Sequence, residues 1–441
     1  MTRPSSAKAS PLKSIFIVSS GNFLEMYDFM VFGYYAKAIG ATFFPTQNES
    51  ASILLSLMTF GAGFLMRPVG ALVLGAYMDR HGRRRGLLLT LALMGVGTLS
   101  IACMPSYAQI GIFAPLLILA GRLIQGLSAG VEVGGVSVYL AELASPNNRG
   151  FYVAWQSASQ QVAVVFAALI GLAVSYTLPP TEIASWGWRI PFFIGSALLP
   201  FLFVIRSMLQ EDVSALEESR PDMKAIFATV ADHAGVITLG ALMAVMTTVF
   251  FYMITAYTPT YGNSVLKLSA PSAMTVTLCV GLLNFAMLPT MGALSDRIGR
   301  TPLLIGSALL AIMTGYPALA WLTSAPSFGR LLGVELWLAL VYAAYNGAMV
   351  VHLAEVMPAR ARTAGFSLAY SLATAIFGGF TPALSTYLIA RSGNPAMPGV
   401  WLSFAAVISL AATLLLARSN QKTFRDRPLP FGSEKRDGEL K

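Results

Sequence analysis

Apolar residues fall along the 441-residue chain in twelve long runs, at about 14–38, 51–78, 86–104, 112–141, 152–177, 189–208, 235–260, 270–294, 302–323, 329–356, 364–390 and 398–417. An α-helix needs about 20 apolar residues to cross a bilayer, and in hydrocarbon its backbone polar groups have to be satisfied within the segment. The pattern therefore predicts an all-α membrane protein with twelve transmembrane helices. Prolines inside the runs, at Pro68, Pro191, Pro259, Pro289 and Pro382, fit this class, because membrane helices tolerate them better than soluble ones. The longest polar interruption runs from Gln210 through Glu217, Glu218, Arg220, Pro221 and Asp222 and leaves six runs on either side. The expected layout is a tail over 1–13, a six-helix bundle over 14–208, a linker over 209–234, a second six-helix bundle over 235–418 and a disordered tail over 419–441.

Composition narrows the class. The chain is 56% hydrophobic and 11% charged, with a mean hydropathy of +0.67, whereas a soluble domain carries about 25% charged residues. A soluble globule is excluded. The first run follows basic residues, and Ala36-Lys37-Ala38 mimics a signal-peptide cleavage site, but Glu25 and Asp28 interrupt the apolar core such a signal needs. Of 29 Lys and Arg, 22 fall at the termini and in the loops after even-numbered runs, and only Lys37, Arg189, Lys267, Arg330 and Arg391 fall on the other side. By the positive-inside rule both termini are cytoplasmic. The same sorting assigns the net charge of +9 to membrane orientation, so no nucleic-acid partner is expected. Cys103 and Cys279 read as small hydrophobes. His81, His233 and His352 are far apart, and no HExxH, CxxC or GxSxG pattern occurs, so neither an enzyme nor a metal or organic cofactor is expected. The expected partners are the lipid bilayer, protons and a small molecule, with the chain acting as a monomer.

The two halves repeat each other. The stretch Gly75-Ala-Tyr-Met-Asp79-Arg80-His81-Gly82-Arg83-Arg84-Arg85 returns as Gly292-Ala-Leu-Ser-Asp296-Arg297-Ile298-Gly299-Arg300, with Asp296 standing 217 residues after Asp79. Glu142 lies seven residues before Arg149, and Glu355 seven before Arg362, at an offset of 213. Two repeated six-helix halves around a central pathway are the architecture of an alternating-access transporter. At these loops the chain resembles the major facilitator superfamily, with Tyr77 where the first copy of the motif usually has leucine. Gly21-Asn-Phe-Leu-Glu25-Met-Tyr-Asp28-Phe, Gly63-Phe-Leu-Met-Arg67-Pro68, Gly121-Arg122-Leu-Ile-Gln125-Gly126 and Trp186-Gly-Trp-Arg189-Ile-Pro191-Phe are similar to its metabolite:proton symporter family. Ser128 to Tyr139, Trp155-Gln-Ser-Ala-Ser-Gln-Gln161, Tyr257-Thr-Pro-Thr-Tyr-Gly262 and Phe366 to Gly379 resemble the citrate and tricarballylate transporters of that family. The resemblance implies a proton-driven importer of a tricarboxylate. Span five has its polar run where the superfamily's antiporters carry a Gly-Pro-rich motif, which by the same resemblance favours symport.

Charges retained inside the runs point to the site. An ionised side chain at a helix centre costs about 2.5–3.5 kcal/mol on insertion scales, and Glu25, Asp28, Arg67, Arg122 and Glu132 are there nonetheless. On an ideal helix Arg122 and Gln125 lie about 60° apart and Gln125 and Glu132 about 20° apart, which puts cation, amide and carboxylate on one face. Guanidinium grips carboxylate bidentately without losing its proton. Arg122 and Arg67 are therefore the expected partners of a substrate carboxylate, helped by Gln125, Asn22, Tyr257, Tyr345 and Asn346. Arg67 has a second reading, a permanent pair with Glu25 or Asp28, and Arg189, near the outer membrane edge, reads equally as an interfacial anchor or as a gate or substrate attractor.

Symport needs an acid whose proton affinity burial raises and an approaching cation lowers. Glu25, Asp28 and Glu132 are the candidates, with proton coupling and a static ion pair both open for Glu25 and Asp28. His352 reads rather as a hydrogen-bonded interior histidine. Asp79 with Arg83, and Asp296 with Arg300, sit at span ends, where the resemblance implies a cytoplasmic clamp joined by Glu142, Arg149, Glu355 and Arg362. The competing readings are a proton symporter for a dicarboxylate such as 2-oxoglutarate or for a zwitterion such as proline or betaine, a membrane-embedded enzyme, and a transporter-like sensor.

Overall fold

The computed structural model describes residues 23–81, 83–130, 132–207, 231–357 and 362–425. Among these, nine helices are long and apolar enough to cross a membrane, and the shorter apolar helices Leu88–Cys103 and Phe113–Ser128, with the first helix, complete twelve. In the first half α1 is Phe23–Tyr34 continued by Ala36–Phe43, α2 is Glu49–Leu65 continued by Arg67–His81, and α3 is Arg83–Cys103. They are followed by α4, Phe113–Ser128 and Glu132–Leu143, by α5, Arg149–Thr177, and by α6, Ile190–Ala197 and Leu199–Ser207. In the second half α7 starts as Ala234–Tyr252, α8 is Ala270–Ile298, α9 is Arg300–Ser324, α10 is Phe328–Val356, α11 starts as Arg362–Ala373 and α12 is Met397–Arg425. No strand occurs among the described residues. Large apolar side chains such as Val73, Val96, Phe113, Phe201, Met313 and Phe404 are exposed around the outside, as lipid-facing residues are.

Departures from regular helix have local causes. In α7 two π-helical stretches, Met253–Tyr257 and Tyr261–Val265, flank Thr258–Thr260. Pro259 lies between them, and a proline without an N–H, whose ring presses on the carbonyl four residues back, is relieved by a wider turn. A third such stretch, Thr374–Gly378 in α11, precedes Pro382 in Thr381–Ser392 in the same way. The first segment of helix α4 ends at Ser128 and the second begins at Glu132; the expected place of the Glu132 side chain beside Gln125 falls outside the described residues. Just past the first segment α4 comes close to α2: a Cβ on Gly130 would lie 2.1 Å from the Arg67 carbonyl oxygen. Helix α12 continues to Arg425, about two turns into the segment expected to be a disordered tail.

The halves meet along α5 and α8, which run antiparallel. Gly150 packs on Gly292, Val164 and Val165 on Gly281, and Gly171 on Met274, so the two helices touch from one membrane edge to the other. At the arginine-rich edge α4 and α11 also close, Gly134 against Ser367. At the opposite edge the Thr260 hydroxyl of α7 donates to the Gly33 carbonyl of α1 (3.1 Å). The conformation is shut at both edges.

Candidate functional site

The site begins with glycines. A Cβ on Gly126 of α4 would lie 1.6 Å from the Gly63 carbonyl oxygen of α2, so only glycine allows these backbones to touch. That contact holds Arg67 and Arg122 against α1. Arg67 Nη2 donates to Glu25 Oε1 at 2.6 Å. Arg122 Nη1 donates to Asp28 Oδ2 at 3.2 Å and to Gln125 Oε1 at 2.7 Å. Gln125 Nε2 reaches Asp28 Oδ2 at 2.5 Å and Thr98 Oγ1 at 3.1 Å. The Arg122 and Asp28 side chains are 0% exposed. Both arginines are paired in this conformation, and the alternative reading of Arg67 describes its partner correctly.

Aromatic rings enclose the pairs. The Arg122 guanidinium carbon lies 4.4 Å from the Phe29 ring centre and 4.5 Å from that of Phe32, and the Arg67 one lies 4.6 Å from Phe64. Phe64 and Phe60 in turn meet Tyr252 of α7, at 5.0 and 5.9 Å between ring centres. This aromatic layer dries the ion pairs and strengthens them, and each arginine gains cation–π contact. The pairs leave capacity unused: Arg122 Nε and Nη2, Arg67 Nε and Asp28 Oδ1 have no hydrogen-bond partner. Those atoms can take a ligand carboxylate or a proton.

A second set of polar groups lies between the halves. Both amide atoms of Gln161, Asn284 and Asn346 are buried without partners, as is Gln156 Nε2. Gly281 packs on Val164, so Asn284, three residues further along α8, and Gln161, three residues back along the antiparallel α5, lie at the same depth. Unpartnered buried amides are costly, and in a transporter they mark surface that substrate or water covers in another state. Asn346 was expected from the sequence, Gln156 and Gln161 only as a polar run, and Asn284 was missed although an amide inside an apolar run is a signal. Glu335 of α10, also buried with both carboxyl oxygens unpartnered, was missed too. A carboxyl about two turns from a span's end can reach the water layer, so sequence pattern alone does not mark it.

Other expected residues have different surroundings. The Tyr257 hydroxyl bonds Thr386 Oγ1 at 2.9 Å, beside a cavity of about 140 Å³ at the edge away from the arginine-rich loops. Glu49, Ile53, Thr260 and Lys267 also line it. The Tyr345 hydroxyl donates to the Met243 carbonyl at 2.8 Å, near Ser409 and Thr413 of α12, and is not brought to the arginines. His352 is buried with Nε2 unpartnered. Arg189 donates to the Met104 carbonyl at 2.8 Å and stacks on Trp188, which makes it an anchor. Asn22 and the side chains of Glu132, Asp79 and Arg83 lie outside the described residues.

The second copy of the repeated loop forms a clamp. Asp296 accepts from the backbone N–H groups of Gly150 (2.8 Å) and Phe151 (3.1 Å), at the start of α5, where the helix dipole favours an anion. Arg300 pairs with Asp296 at 2.7 Å and with Glu355 at 3.3 Å. Glu142 is exposed, and Arg149 and Arg362 stand half-buried with each Nε unpartnered. No ion pair joins Glu142 to Arg149 or Glu355 to Arg362 among the described residues.

Comparison with known proteins adds to this geometry. The profile of the sugar (and other) transporter family matches twice, over residues 14–214 and 206–428, in step with the internal repeat. The citrate-proton symporter of Salmonella typhi is 56% identical over 414 residues, covering 94% of this chain and 95% of that protein. The citrate-proton symporter of Klebsiella pneumoniae is 53% identical over 413 residues, 93% of each. Among solved structures, the xylose transporter XylE from E. coli in a partially occluded inward-open conformation matches with a TM-score of 0.73 at 20% identity, over 93% of this chain and 99% of that one.

Proposed function

Because the chain belongs to the sugar (and other) transporter family, within the major facilitator superfamily, we propose that it is a proton-coupled symporter importing a tricarboxylate, citrate or tricarballylate, by alternating access. The observation that carries this reading is the 56% identity to a citrate-proton symporter along nearly the whole of both chains. The arginine-rich edge is then cytoplasmic, and so are both termini.

The geometry supplies a coupling rule. In the empty, deprotonated carrier, Asp28 occupies Arg122 and Glu25 occupies Arg67, so the closed form buries no net charge at these pairs. Protonation of Asp28 weakens its hold and turns Arg122 toward a substrate carboxylate. A carrier protonated but without substrate would bury an unpaired guanidinium, at a cost of about 3–5 kcal/mol, and does not close. A carrier with substrate but no proton sets two carboxylates against one cation and does not close either. Only the empty and the fully loaded forms reorient. On the cytoplasmic side, loss of the proton lets Asp28 reclaim Arg122 and expel the substrate. Gln125, bridging Asp28 and Arg122, holds the two in register. Gln161, Asn284 and Asn346 offer hydrogen bonds to the remaining carboxylates, which a second arginine at the site also favours over a zwitterion.

Radiolabelled citrate uptake into proteoliposomes under an imposed pH gradient tests the reading, with tricarballylate, 2-oxoglutarate, succinate and proline as competitors. The expected result is gradient-driven citrate accumulation blocked by the tricarboxylate. Competition by proline and by none of the carboxylates would overturn it.

A further inference from the structure

The cycle above makes no use of a third buried acid. Glu335 lies on α10 seven residues beyond Phe328, about 10 Å in from the outer end of the helix. It is 0% exposed, and neither carboxyl oxygen has a hydrogen-bond donor. The hydroxyl of Thr258 on α7 stands beside it but donates to the Met253 carbonyl (3.2 Å). Tyr261, also on α7, is the titratable group facing it among the described residues, and its hydroxyl is spent on the Pro395 carbonyl (2.8 Å). No described Lys, Arg or His pairs with it. A bare carboxylate so placed, with no cation and no donor spent on it, would be prohibitively costly to bury.

The wall over Glu335 is the least regular part of α7. Thr258 and Tyr261 belong to the stretch that holds Pro259 and two π-helical segments, which hydrogen-bond less regularly than α-helix. The other face of that stretch, through Tyr257, Thr260 and Ser264, borders the cavity of about 140 Å³. The segment therefore has space to shift into, and such a shift withdraws Thr258 and Tyr261 from the carboxyl. We propose that Glu335 is a proton-binding site that licenses closure of the outer edge: α7 seals over it only when it has taken a proton from the outer solution, and uncovering it lets the proton go. This proposal rests on the proton-symport reading above and adds to it a site that is separate from the Asp28 and Arg122 pair. The site makes the rate of closure depend on outer pH without changing the number of protons carried per substrate.

The test is citrate counterflow in proteoliposomes as a function of outer pH, for the wild type and Glu335→Gln, whose amide imitates the protonated carboxyl. The expected result is an alkaline fall-off shifted upward by about one pH unit or more, a tenfold change in proton concentration, with unchanged alkalinisation per citrate. Glu335→Asp should restore the fall-off. A Gln variant with the wild-type pH profile, or one that binds citrate but exchanges at no pH, overturns the proposal. Should the Gln variant fail to fold, a reporter is available: Ser264→Cys with Cys103 and Cys279 replaced by serine and Glu335 intact. Its labelling from outside, divided by the rate of a free thiol at the same pH to remove the titration of the thiol itself, should slow as outer pH falls, and a ratio that does not change with pH overturns the proposal. Citrate-linked alkalinisation in the wild type tests the symport reading by itself, whatever the Glu335 variants do.

Discussion

The carboxylate of Asp296, in the second half of the molecule, accepts the backbone N–H of Gly150 in the first, at 2.8 Å. Hydrogen bonds to a charged group contribute about 1.5–3 kcal/mol each. Asp296→Asn removes the charge while keeping the size and should open this edge by about 10–100-fold. A single cysteine in place of Ala154, buried between α5 and α8, should then react with cytoplasmic-side reagents faster by that factor, and citrate uptake should fall. An unchanged labelling rate would show that Asp296 does not hold the edge shut.

The same edge depends on absent side chains. A Cβ on Gly292 would meet the Gly150 carbonyl oxygen at 2.3 Å. Gly292→Val should abolish citrate uptake while citrate binding from the cytoplasmic side persists, because only the closed form needs that contact. Binding to the purified variant, read by isothermal calorimetry, separates this outcome from misfolding.

Arg67 and Glu25 can be tested as a pair. Arg67→Ala alone leaves a buried carboxylate and should destabilise the protein by about 3–5 kcal/mol. Arg67→Ala with Glu25→Ala should regain most of the melting temperature in detergent. Uptake by the double variant should nevertheless stay below about a tenth of wild type if Arg67 also contacts citrate. Full recovery of uptake would make the pair purely structural.

Arg122→Lys keeps the charge and loses the planar fork. Uptake should fall by about 10–100-fold, mainly through a higher KM. Asp28→Asn should retain citrate counterflow, which needs no net proton movement, and lose the alkalinisation that accompanies net uptake. Full coupling in Asp28→Asn, and likewise in Glu25→Gln and Glu132→Gln, would remove all three acids from the coupling scheme.

Gln161 and Asn284 carry buried amides with no partner in the shut form. Truncating either to alanine should leave stability the same or slightly higher, since an orphaned polar group is removed. The KM for citrate should rise by about tenfold, equivalent to about one hydrogen bond to a charged ligand.

Much of this was legible in the sequence because membrane helices obey few rules. The twelve apolar runs, the repeat joining Asp79 to Asp296, and the intramembrane charges Glu25, Asp28, Arg67 and Arg122 follow from the cost of burying polar groups in hydrocarbon. For Arg67 the sequence also offered an acidic partner, Glu25 or Asp28, whereas Arg122 was expected only at a substrate carboxylate. Which acid meets which arginine was not legible, since it depends on the glycine contacts of Gly63 with Gly126 and of Arg67 with Gly130. Tyr345 shows the other limit: a tyrosine in an apolar run can face the pathway or a neighbouring helix, and only packing decided for Met243. Asn284 carried a signal of the same kind as Asn346 and needed only the same rule applied evenly.

Helix α1 breaks at Tyr35, and the 217-residue offset between the repeated loops carries Tyr35 onto Tyr252, after which α7 turns π-helical. The first helix of each half is thus jointed at the same level, above the buried ion pairs. Were each half a solid block, sealing one mouth would pry the other apart, and citrate would never be without an exit. Jointed helices allow the outer tips to fold in on their own, so the doubly shut form is a resting place with its own residence time. Citrate caught there should wash out slowly on dilution, as a fraction distinct from the rapidly exchanging pool.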